Sequence, residues 1–192
     1  VGEDEMRIVA GDFGGRRLKA VPGMQTRPTT DKVKEAVFNI IGPYFDGGQS
    51  LDLFAGSGGL SIEAVSRGVA RAVLIDRQYQ AIKTIKDNIA VTKAPKRFEV
   101  IKGDAERILD RLASQDEHFD WVFLDPPYAK QQIVKDIQHC DALGLLNPGC
   151  RIICETDTNA NLPTVLPGFE LIRQQDYGIT VITIYQKVTE VG

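Results

Sequence analysis

The sequence is poor in cysteine and histidine, with three and two of these residues in 192. An odd number of cysteines without a paired framework predicts free thiols in a reducing compartment. Cys150 and Cys154 lack the CxxC spacing, and only His118 and His139 are available as imidazole ligands, so no metal site is expected. Cys150 and Cys154 lie in an apolar segment, which predicts that they are buried as small hydrophobic residues.

Long apolar runs are also lacking. No run reaches the length of a membrane span, and no charged start followed by an apolar core is typical of a signal peptide. We therefore expect a cytoplasmic protein with no membrane partner. The composition, 43% hydrophobic and 26% charged, is ordinary for a globular protein. The length suits one sizeable domain with a small extension, and a monomer is favoured.

Positive charge is scarce overall, because the net charge is −3, which alone disfavours a nucleic-acid partner. Its distribution is uneven, however. Between residues 6 and 34 there are seven Lys or Arg against two acids. A basic patch on an acidic body can steer towards phosphate, although a solvated charged surface explains the same counts.

Alternation of strands and helices dominates the chain from about residue 50. The predicted strands are 50–54, 71–76, 97–103, 120–125 and 150–156, and the predicted helices are 59–68, 78–92, 105–114 and 131–143. The strands are short and nearly all apolar, as expected when helices cover both faces of a sheet. This pattern predicts an α/β fold with an open, mostly parallel sheet and right-handed crossovers.

Both ends of the chain depart from that alternation. Segments 169–176 and 179–187 predict an antiparallel pair at the sheet edge, which gives seven strands in all. Segments 7–11 and 16–21 predict a small basic hairpin. Segment 27–41 predicts a helix capped by Thr30 or Asp31. Its apolar face is expected to comprise Val33, Ala36, Val37, Ile40 and Ile41.

The segment DLFAGSGGLSIEA, residues 52–64, is typical of a nucleotide-binding turn between a strand and a helix. Its glycines follow a G-x-G-G spacing, which differs from G-x-G-x-x-G, and Asp52 would repel a pyrophosphate. A ligand with a cationic ammonium end and no phosphate suits this acid, and S-adenosylmethionine is such a ligand. A glycine turn alone also fits a tight structural connection.

Acids end the next two predicted strands. Asp76 can accept both ribose hydroxyls of an adenosine ligand. Asp104 can accept from the adenine amino group, cap the following helix, or do both. Because the carboxyl ends of parallel strands meet at one edge, we expect these acids and the glycine turn to converge there.

The sequence DPPY, residues 125–128, ends the fourth predicted strand on that same edge. The prolines lack N–H donors and keep the backbone extended, which leaves the Pro126 carbonyl free to accept. Asp125 adds a second acceptor, and Tyr128 adds an aromatic face for stacking. Two acceptors and a stacking ring suit a planar aromatic amine, whose nitrogen they aim at a methyl donor. A stiff structural turn is the simpler alternative.

Together, DLFAGSGGLSIEA and DPPY resemble a class I, S-adenosylmethionine-dependent amino-methyltransferase with a Rossmann-like domain. The front segments RIVAGDFGGRRLKAV and RPTTDKVKEAVFNII resemble the RsmD-type bacterial 16S rRNA guanine-N2 methyltransferases. The resemblance implies methyl transfer to guanine N2 in 16S rRNA within a small-subunit assembly particle, with S-adenosylhomocysteine as product. It also implies an RNA-facing extension over residues 1–48 and a methyltransferase domain over 49–192.

The same resemblance implies roles for individual residues. The catalytic residues would be Asp125, Pro126 and Tyr128. The cofactor would be held by Thr29, Asp52, Phe54, Gly56, Gly58, Asp76, Arg77, Asp104 and Ala105. RNA phosphates would be bound by Arg7, Arg16, Arg17, Lys19 and Arg27.

Several other functions share parts of this pattern. A DNA or other RNA amino-methyltransferase acting on adenine N6 or cytosine N4 would use the same DPPY chemistry, but no insertion supplies a DNA-reading domain. A protein glutamine methyltransferase typically has Asn in place of Asp125. A non-catalytic, S-adenosylmethionine-binding ribosome-assembly factor is a further alternative, and the intact Asp52, Asp76 and Asp125 argue against lost catalysis. A Rossmann dehydrogenase requires another glycine spacing.

Overall fold

A computed structural model describes residues 6–23, 30–127 and 131–189. These ranges contain nine strands, five α-helices and one 3₁₀ turn at Pro95–Arg97. The strands are β1 Met6–Arg7, β2 Arg17–Leu18, β3 Gln49–Asp52, β4 Arg71–Asp76, β5 Phe98–Lys102, β6 Phe119–Leu124, β7 Leu146–Thr156, β8 Phe169–Asp176 and β9 Val181–Lys187. The α-helices are α1 Asp31–Ile41, α2 Gly59–Ser66, α3 Tyr79–Thr92, α4 Ala105–Ser114 and α5 Ile133–Ala142.

The main sheet has seven strands in the order β5-β4-β3-β6-β7-β9-β8. The pairs from β5 through β7 are parallel, and β9 is antiparallel to both β7 and β8. The chain order reverses at β3, so β3 and β6 are neighbours although β4 and β5 lie between them in sequence. The predicted α/β fold, with its antiparallel C-terminal edge, is confirmed, and ligands of open α/β sheets bind at such a reversal.

Helices cover both faces of the sheet, which explains the nearly continuous apolar strands. Alternate side chains of β4 belong to different clusters. Val73 and Ile75 pack in a cluster that includes α4 and α5, whereas Ala72 and Leu74 pack with α2 and α3. A third cluster joins α1 and α2 to β6, β7 and β9. Burial on both faces fixes the strands, so the strand tips stand at defined positions.

Several elements differ from the expectation. The hairpin strands β1 and β2 have only two residues each, and β3 ends two residues before the predicted end. Strand β7 begins at Leu146, four residues before the predicted start, because it continues past Pro148 and Gly149 through a shift of register against β6. Helix α1 is capped by Thr30, whose side chain accepts from the Val33 N–H at 3.3 Å. Its buried residues are Val33, Lys34, Val37, Phe38 and Ile41, whereas Ala36 and Ile40 are only partly buried.

The basic hairpin packs directly on the main sheet and its helices. Met6, Ile8, Phe13 and Leu18 are buried in the cluster of α2 and α3. Because its apolar side chains are shared with that cluster, the hairpin has a fixed position relative to the sheet. The division of the chain at residue 48 stays a prediction.

Glu63 anchors the same region through buried charges. Its carboxylate accepts from the Val9 and Ala10 N–H groups at 2.8 and 3.1 Å. It also pairs with Arg67 at 2.7 Å and with Lys34 at 3.7 Å. These three charged side chains are almost fully buried. Burial lowers the pKa of Lys34, and the charge of Glu63 opposes that shift. The cluster connects the hairpin, α1 and α2.

All three cysteines are free, Cys150 and Cys154 are buried as predicted, and Cys140 is buried as well. Burial raises the pKa of Cys140 to about 12 and raises the pKa of Cys150 and Cys154 further. Thiolates of these residues are therefore scarce at neutral pH. Separately, no helix within the described ranges has both the length and the apolar character that crossing a membrane requires.

Candidate active site

The carboxyl edge of the parallel strands brings the predicted acids together. Asp52 of β3 lies opposite Leu74 of β4 and Phe123 of β6. Asp76 and Asp125 each lie two positions beyond those partners, at the adjoining strand tips. At the point where the strand order reverses, one acid therefore lies on β3 and one lies at the tip of each neighbouring strand.

Asp52 is the most enclosed of these acids, with 2% of its surface exposed. Its carboxylate accepts from the Phe54 N–H at 3.1 Å and from the Ser61 hydroxyl at 3.5 Å. Burial raises its pKa from 3.8 to about 7, and the charges of Asp76 and Glu155 raise it as well. The two hydrogen bonds oppose this shift. An ionised Asp52 is therefore suited to a cationic ligand group.

The glycine turn lies directly beyond β3. Gly56 and Gly58 have φ values of +58° and +82°, in the left-handed region that favours glycine. No atom lies within 4 Å of the position that a Cβ on Gly56 would take, so there is open space beside this backbone. Asp76 holds the turn, because its carboxylate accepts from the Gly56 N–H at 2.9 Å and from the Gln78 N–H at 2.9 Å.

The remaining predicted cofactor residues surround this turn. Asp104 caps α4 by accepting from the Glu106 N–H at 3.3 Å, and Ala105 is the first residue of that helix. Phe54 is partly buried against the core, and Arg77 is exposed after β4. Each of these residues follows or adjoins the carboxyl end of a parallel strand.

Asp125 and Pro126 follow β6 next to the glycine turn. Pro126 is buried, whereas Asp125 as a residue keeps partial exposure. Burial, followed by the charge of Glu155 and a hydrogen bond to it, raises the pKa of Asp125 well above its ordinary value. Tyr128, Thr29 and Arg27 lie outside the described residues.

Glu155 was not singled out from the sequence. It lies near the end of β7 and is 5% exposed. An acid ending the apolar run CRIICE is the same signal that identified Asp52 and Asp76. The sequence does not show, however, that β7 lies beside β6.

The predicted RNA-binding residues have different surroundings. Arg7 forms an ion pair with Asp31 at 3.2 Å. Arg16 donates to the carbonyls of Val91 and Thr92 at 3.0 and 3.3 Å, and its guanidinium lies 5.3 Å from the Phe13 ring centroid. Arg16 therefore binds the C-terminal end of α3, where a cation is favoured.

Arg17 and Lys19 present more of their side chains to solvent. Lys19 lies 3.8 Å from Asp87 with 74% of its side chain exposed, and Arg17 is exposed on β2. Asn88 of α3 bridges the hairpin and the glycine turn, because its amide donates to the carbonyls of Lys19 and Ser57. The basic hairpin is therefore connected through Asn88 to the glycine turn of the strand-tip site.

Comparisons with known proteins agree with this geometry. A family model described as "Conserved hypothetical protein 95" matches residues 6–186. The protein YlbH of Bacillus subtilis, provisionally named as an rRNA methyltransferase, is 46% identical over 182 residues, which are 95% of this chain and 99% of YlbH. The ribosomal RNA small subunit methyltransferase D of Escherichia coli is 33% identical over 186 residues, covering 97% of this chain and 92% of that protein.

A solved structure is also similar to this chain over nearly its whole length. An Escherichia coli protein described provisionally as a methyltransferase superposes with a TM-score of 0.81 at 32% identity, covering 97% of this chain and 99% of that chain. The family model and these relatives each span nearly the whole chain. The chain therefore belongs to the RsmD family of methyltransferases, as its DLFAGSGG, DPPY and RPTTD segments indicated.

Proposed function

We propose that the protein transfers a methyl group from S-adenosylmethionine to the exocyclic N2 amino group of a guanine in small-subunit ribosomal RNA. The observation that carries this proposal is the juxtaposition of Asp52 and the glycine turn on β3 with Asp125 and Pro126 on the adjacent β6. The Escherichia coli relative is named as a small-subunit rRNA methyltransferase, which supports the choice of substrate.

The strand-tip residues fit S-adenosylmethionine. The buried Asp52 carboxylate is surrounded by other acids, so the cationic ammonium of the methionine end would offset their repulsion. Asp76 would accept the ribose hydroxyls, and Asp104 with Ala105 would border the adenine. Gly56 and Gly58 would let the ligand approach the backbone closely. Thr29, Phe54 and Arg77 are proposed to complete the pocket.

Asp125 and the Pro126 carbonyl are proposed to accept the two N–H bonds of the target amine. The lone pair of an aromatic amine is delocalised into the ring, so two acceptors that favour a pyramidal nitrogen increase its availability. The cofactor supplies a methyl group on a sulfonium: the nitrogen lone pair forms the new C–N bond, and the C–S bonding pair stays on sulfur. S-adenosylhomocysteine is the product, and this chemistry needs no metal.

Tyr128 is proposed to stack on the target guanine. Extruding a base from its stack costs a few kcal/mol, and stacking on an aromatic side chain returns about 1–3 kcal/mol. We propose a small-subunit assembly particle as the substrate, because the acidic net charge of −3 suits a preformed ribonucleoprotein target better than free RNA. The proposed location is the cytoplasm, and the proposed state is a monomer.

Parallel transfer reactions test the function. Labelled S-adenosylmethionine is offered with small-subunit particles lacking the modification, naked 16S rRNA and duplex DNA, and the modified base is then mapped. We expect N2-methylguanine at one position of the particle RNA. Label on adenine N6 or cytosine N4 would contradict the proposal in favour of another amino-methyltransferase. Cofactor binding without transfer to any substrate would favour the assembly-factor alternative.

Asp76→Ala is expected to raise the Kd for S-adenosylmethionine about tenfold while leaving kcat at saturating cofactor nearly unchanged. The substitution removes the proposed ribose acceptor and also the acceptor for the Gly56 N–H, and hydrogen bonds to charged groups contribute about 1.5–3 kcal/mol. Calorimetric titration measures the affinity. Asp76→Asn keeps one oxygen for the Gly56 N–H and should fall between wild type and alanine. An unchanged Kd in both variants would remove Asp76 from the cofactor site.

The double substitution Arg17→Glu and Lys19→Glu is expected to weaken binding of small-subunit RNA and to flatten its salt dependence. Loss of each phosphate contact lowers the slope of log K against log salt by about one. Filter binding over a range of salt concentrations measures both effects. Arg16 is left intact because it binds the end of α3.

The matched control for this double variant is Arg107→Glu with Lys135→Glu. These residues are exposed on α4 and α5, which cover the opposite face of the sheet, and the change in net charge is the same. Equal losses of affinity in the two double variants would show a general charge effect and would contradict a footprint on the hairpin.

A further inference from the structure

Glu155 and Asp125 form a pair of neighbouring carboxyl groups at the tips of β7 and β6. The strands are parallel with Cys154 opposite Leu124, so the two acids each follow a paired residue by one position. At these positions the Glu155 carboxyl group raises the pKa of Asp125 both by its charge and as a hydrogen-bond partner. Two ionised carboxylates offer only acceptors, so the two groups can hydrogen-bond each other only when one of them carries a proton.

The surroundings of the pair favour retention of one proton. Glu155 is 5% exposed, and burial makes two charges at this site costly. Among the described residues, the charged groups that act on Asp125 are Glu155 of β7 and Asp52 of β3, both of them acids. Asp76 of β4 adds further negative charge through its effect on Asp52. A pair that keeps one proton carries one negative charge instead of two, which this enclosed and acidic site favours.

We propose that Glu155 is a positioning residue for methyl transfer: it donates the shared proton to one oxygen of Asp125 and leaves the other oxygen ionised and directed at the target amine. This inference rests on the proposed function. Glu155 keeps the pair singly charged, so Asp125 acts as an acceptor without the repulsion of a second buried carboxylate. The hydrogen bond also fixes the rotation of the Asp125 carboxyl group.

The pair also has a place for the proton that the reaction releases. Once the new C–N bond has formed, the nitrogen carries an excess proton and a positive charge. That proton moves to the free oxygen of Asp125, which takes the pair from one proton to two and leaves the neutral methylamine. One proton then passes from the pair to water, and the singly protonated state returns. Protons and charge balance without another reactant.

The two tests use Glu155→Gln, with Glu155→Ala for comparison. The glutamine amide can donate to Asp125 at every pH, but it has no proton to share. In the wild type, loss of the shared proton at alkaline pH leaves two neighbouring carboxylates, so kcat should fall there. Glu155→Gln has no such proton, so this alkaline limb of the kcat profile should be absent. The plateau of kcat should stay close to wild type for glutamine and fall about tenfold or more for alanine, which lacks the donor.

Infrared spectroscopy of the free protein tests the shared proton without any turnover. At pH 8, in an Asp52→Asn background that removes the other raised carboxyl at the site, the parent should show the C=O band of a protonated carboxylic acid. Glu155→Gln should lose that band. Glu170→Gln, an exposed residue on β8, is the matched control and should keep it.

Each outcome bears on a different statement. A band that persists in Glu155→Gln would overturn the shared proton, and an alkaline limb of kcat at the wild-type pH in that variant would overturn the positioning role. Equal loss of kcat in the glutamine and alanine variants, with unshifted profiles, would show a purely structural role and would also overturn it. Absence of methyl transfer to rRNA by the wild type would instead defeat the proposed function, and the infrared result would still decide whether the pair shares a proton.

Discussion

Asp125→Ala is expected to lower kcat for methyl transfer by about 100-fold to 1,000-fold, with little change in the affinity for S-adenosylmethionine. The substitution removes one of the two proposed acceptors of the target amine, and loss of a single preorganised hydrogen-bonding group at a reaction centre typically has this effect. Asp125 touches the target base in the proposal, whereas Asp52 and Asp76 hold the cofactor. Single-turnover methyl transfer and calorimetric titration of the cofactor measure the two quantities separately.

Asp116→Ala is the control for this variant, because Asp116 is an exposed aspartate just before β6, at the opposite end of that strand. Its kcat should match wild type. Parallel losses of kcat and of cofactor affinity in Asp125→Ala would contradict the assigned role and would place Asp125 in the cofactor pocket. A kcat within a few-fold of wild type would show that the Pro126 carbonyl and base stacking suffice to orient the amine.

The positions of the site acids followed from a simple rule about strand ends. Apolar runs predicted buried parallel strands, and acids at their carboxyl ends predicted one shared edge. Asp52, Asp76 and Asp125 do lie at adjoining tips of β3, β4 and β6. The rule works because burial on both faces leaves polar side chains few places other than the strand ends.

The same rule did not identify Glu155, although its sequence signal is equivalent. Its significance depends on β7 lying beside β6, and neighbouring strands are set by packing across the whole sheet. Periodicity within a segment carries no information about which strand lies next to it. Pairwise contacts between side chains that are distant in sequence are therefore where prediction from the pattern fails.

Two basic residues illustrate a second limit. Arg16 and Arg17 have the same charge and adjacent positions, and the family resemblance assigned both to RNA phosphates. The structure directs Arg16 to the carbonyls at the end of α3, and Arg17 is exposed. Lys34, which a charged-surface interpretation would place in solvent, is buried against Glu63. Whether a cation faces solvent or a helix end depends on tertiary packing, which composition does not encode.

Asp52→Asn is expected to make the free protein more stable at pH 8 and to weaken S-adenosylmethionine binding by about 100-fold. A pKa raised from 3.8 to about 7 means that the folded protein holds the Asp52 proton more tightly than the unfolded chain does. The contribution of this group to stability is therefore fully present below pH 3.8 and is lost as the pH rises through about 7. This pKa difference corresponds to about 4 kcal/mol, which sets the upper limit of the gain at pH 8.

Asparagine keeps an oxygen for the Phe54 N–H and has nearly the same shape, so the folded protein should lose little packing. Denaturation of wild type and variant from pH 4 to pH 8 should give free energies of unfolding that coincide at the acid end and diverge above it. Asp116→Asn, at an exposed position, should follow wild type throughout. A constant difference at all pH values would mean that Asp52 has the same pKa in the folded and unfolded protein. A stabilised variant that still bound the cofactor normally would show that the ammonium group is held elsewhere. If stability rises while affinity falls, then the buried charge is kept at a cost to folding because the ligand requires it.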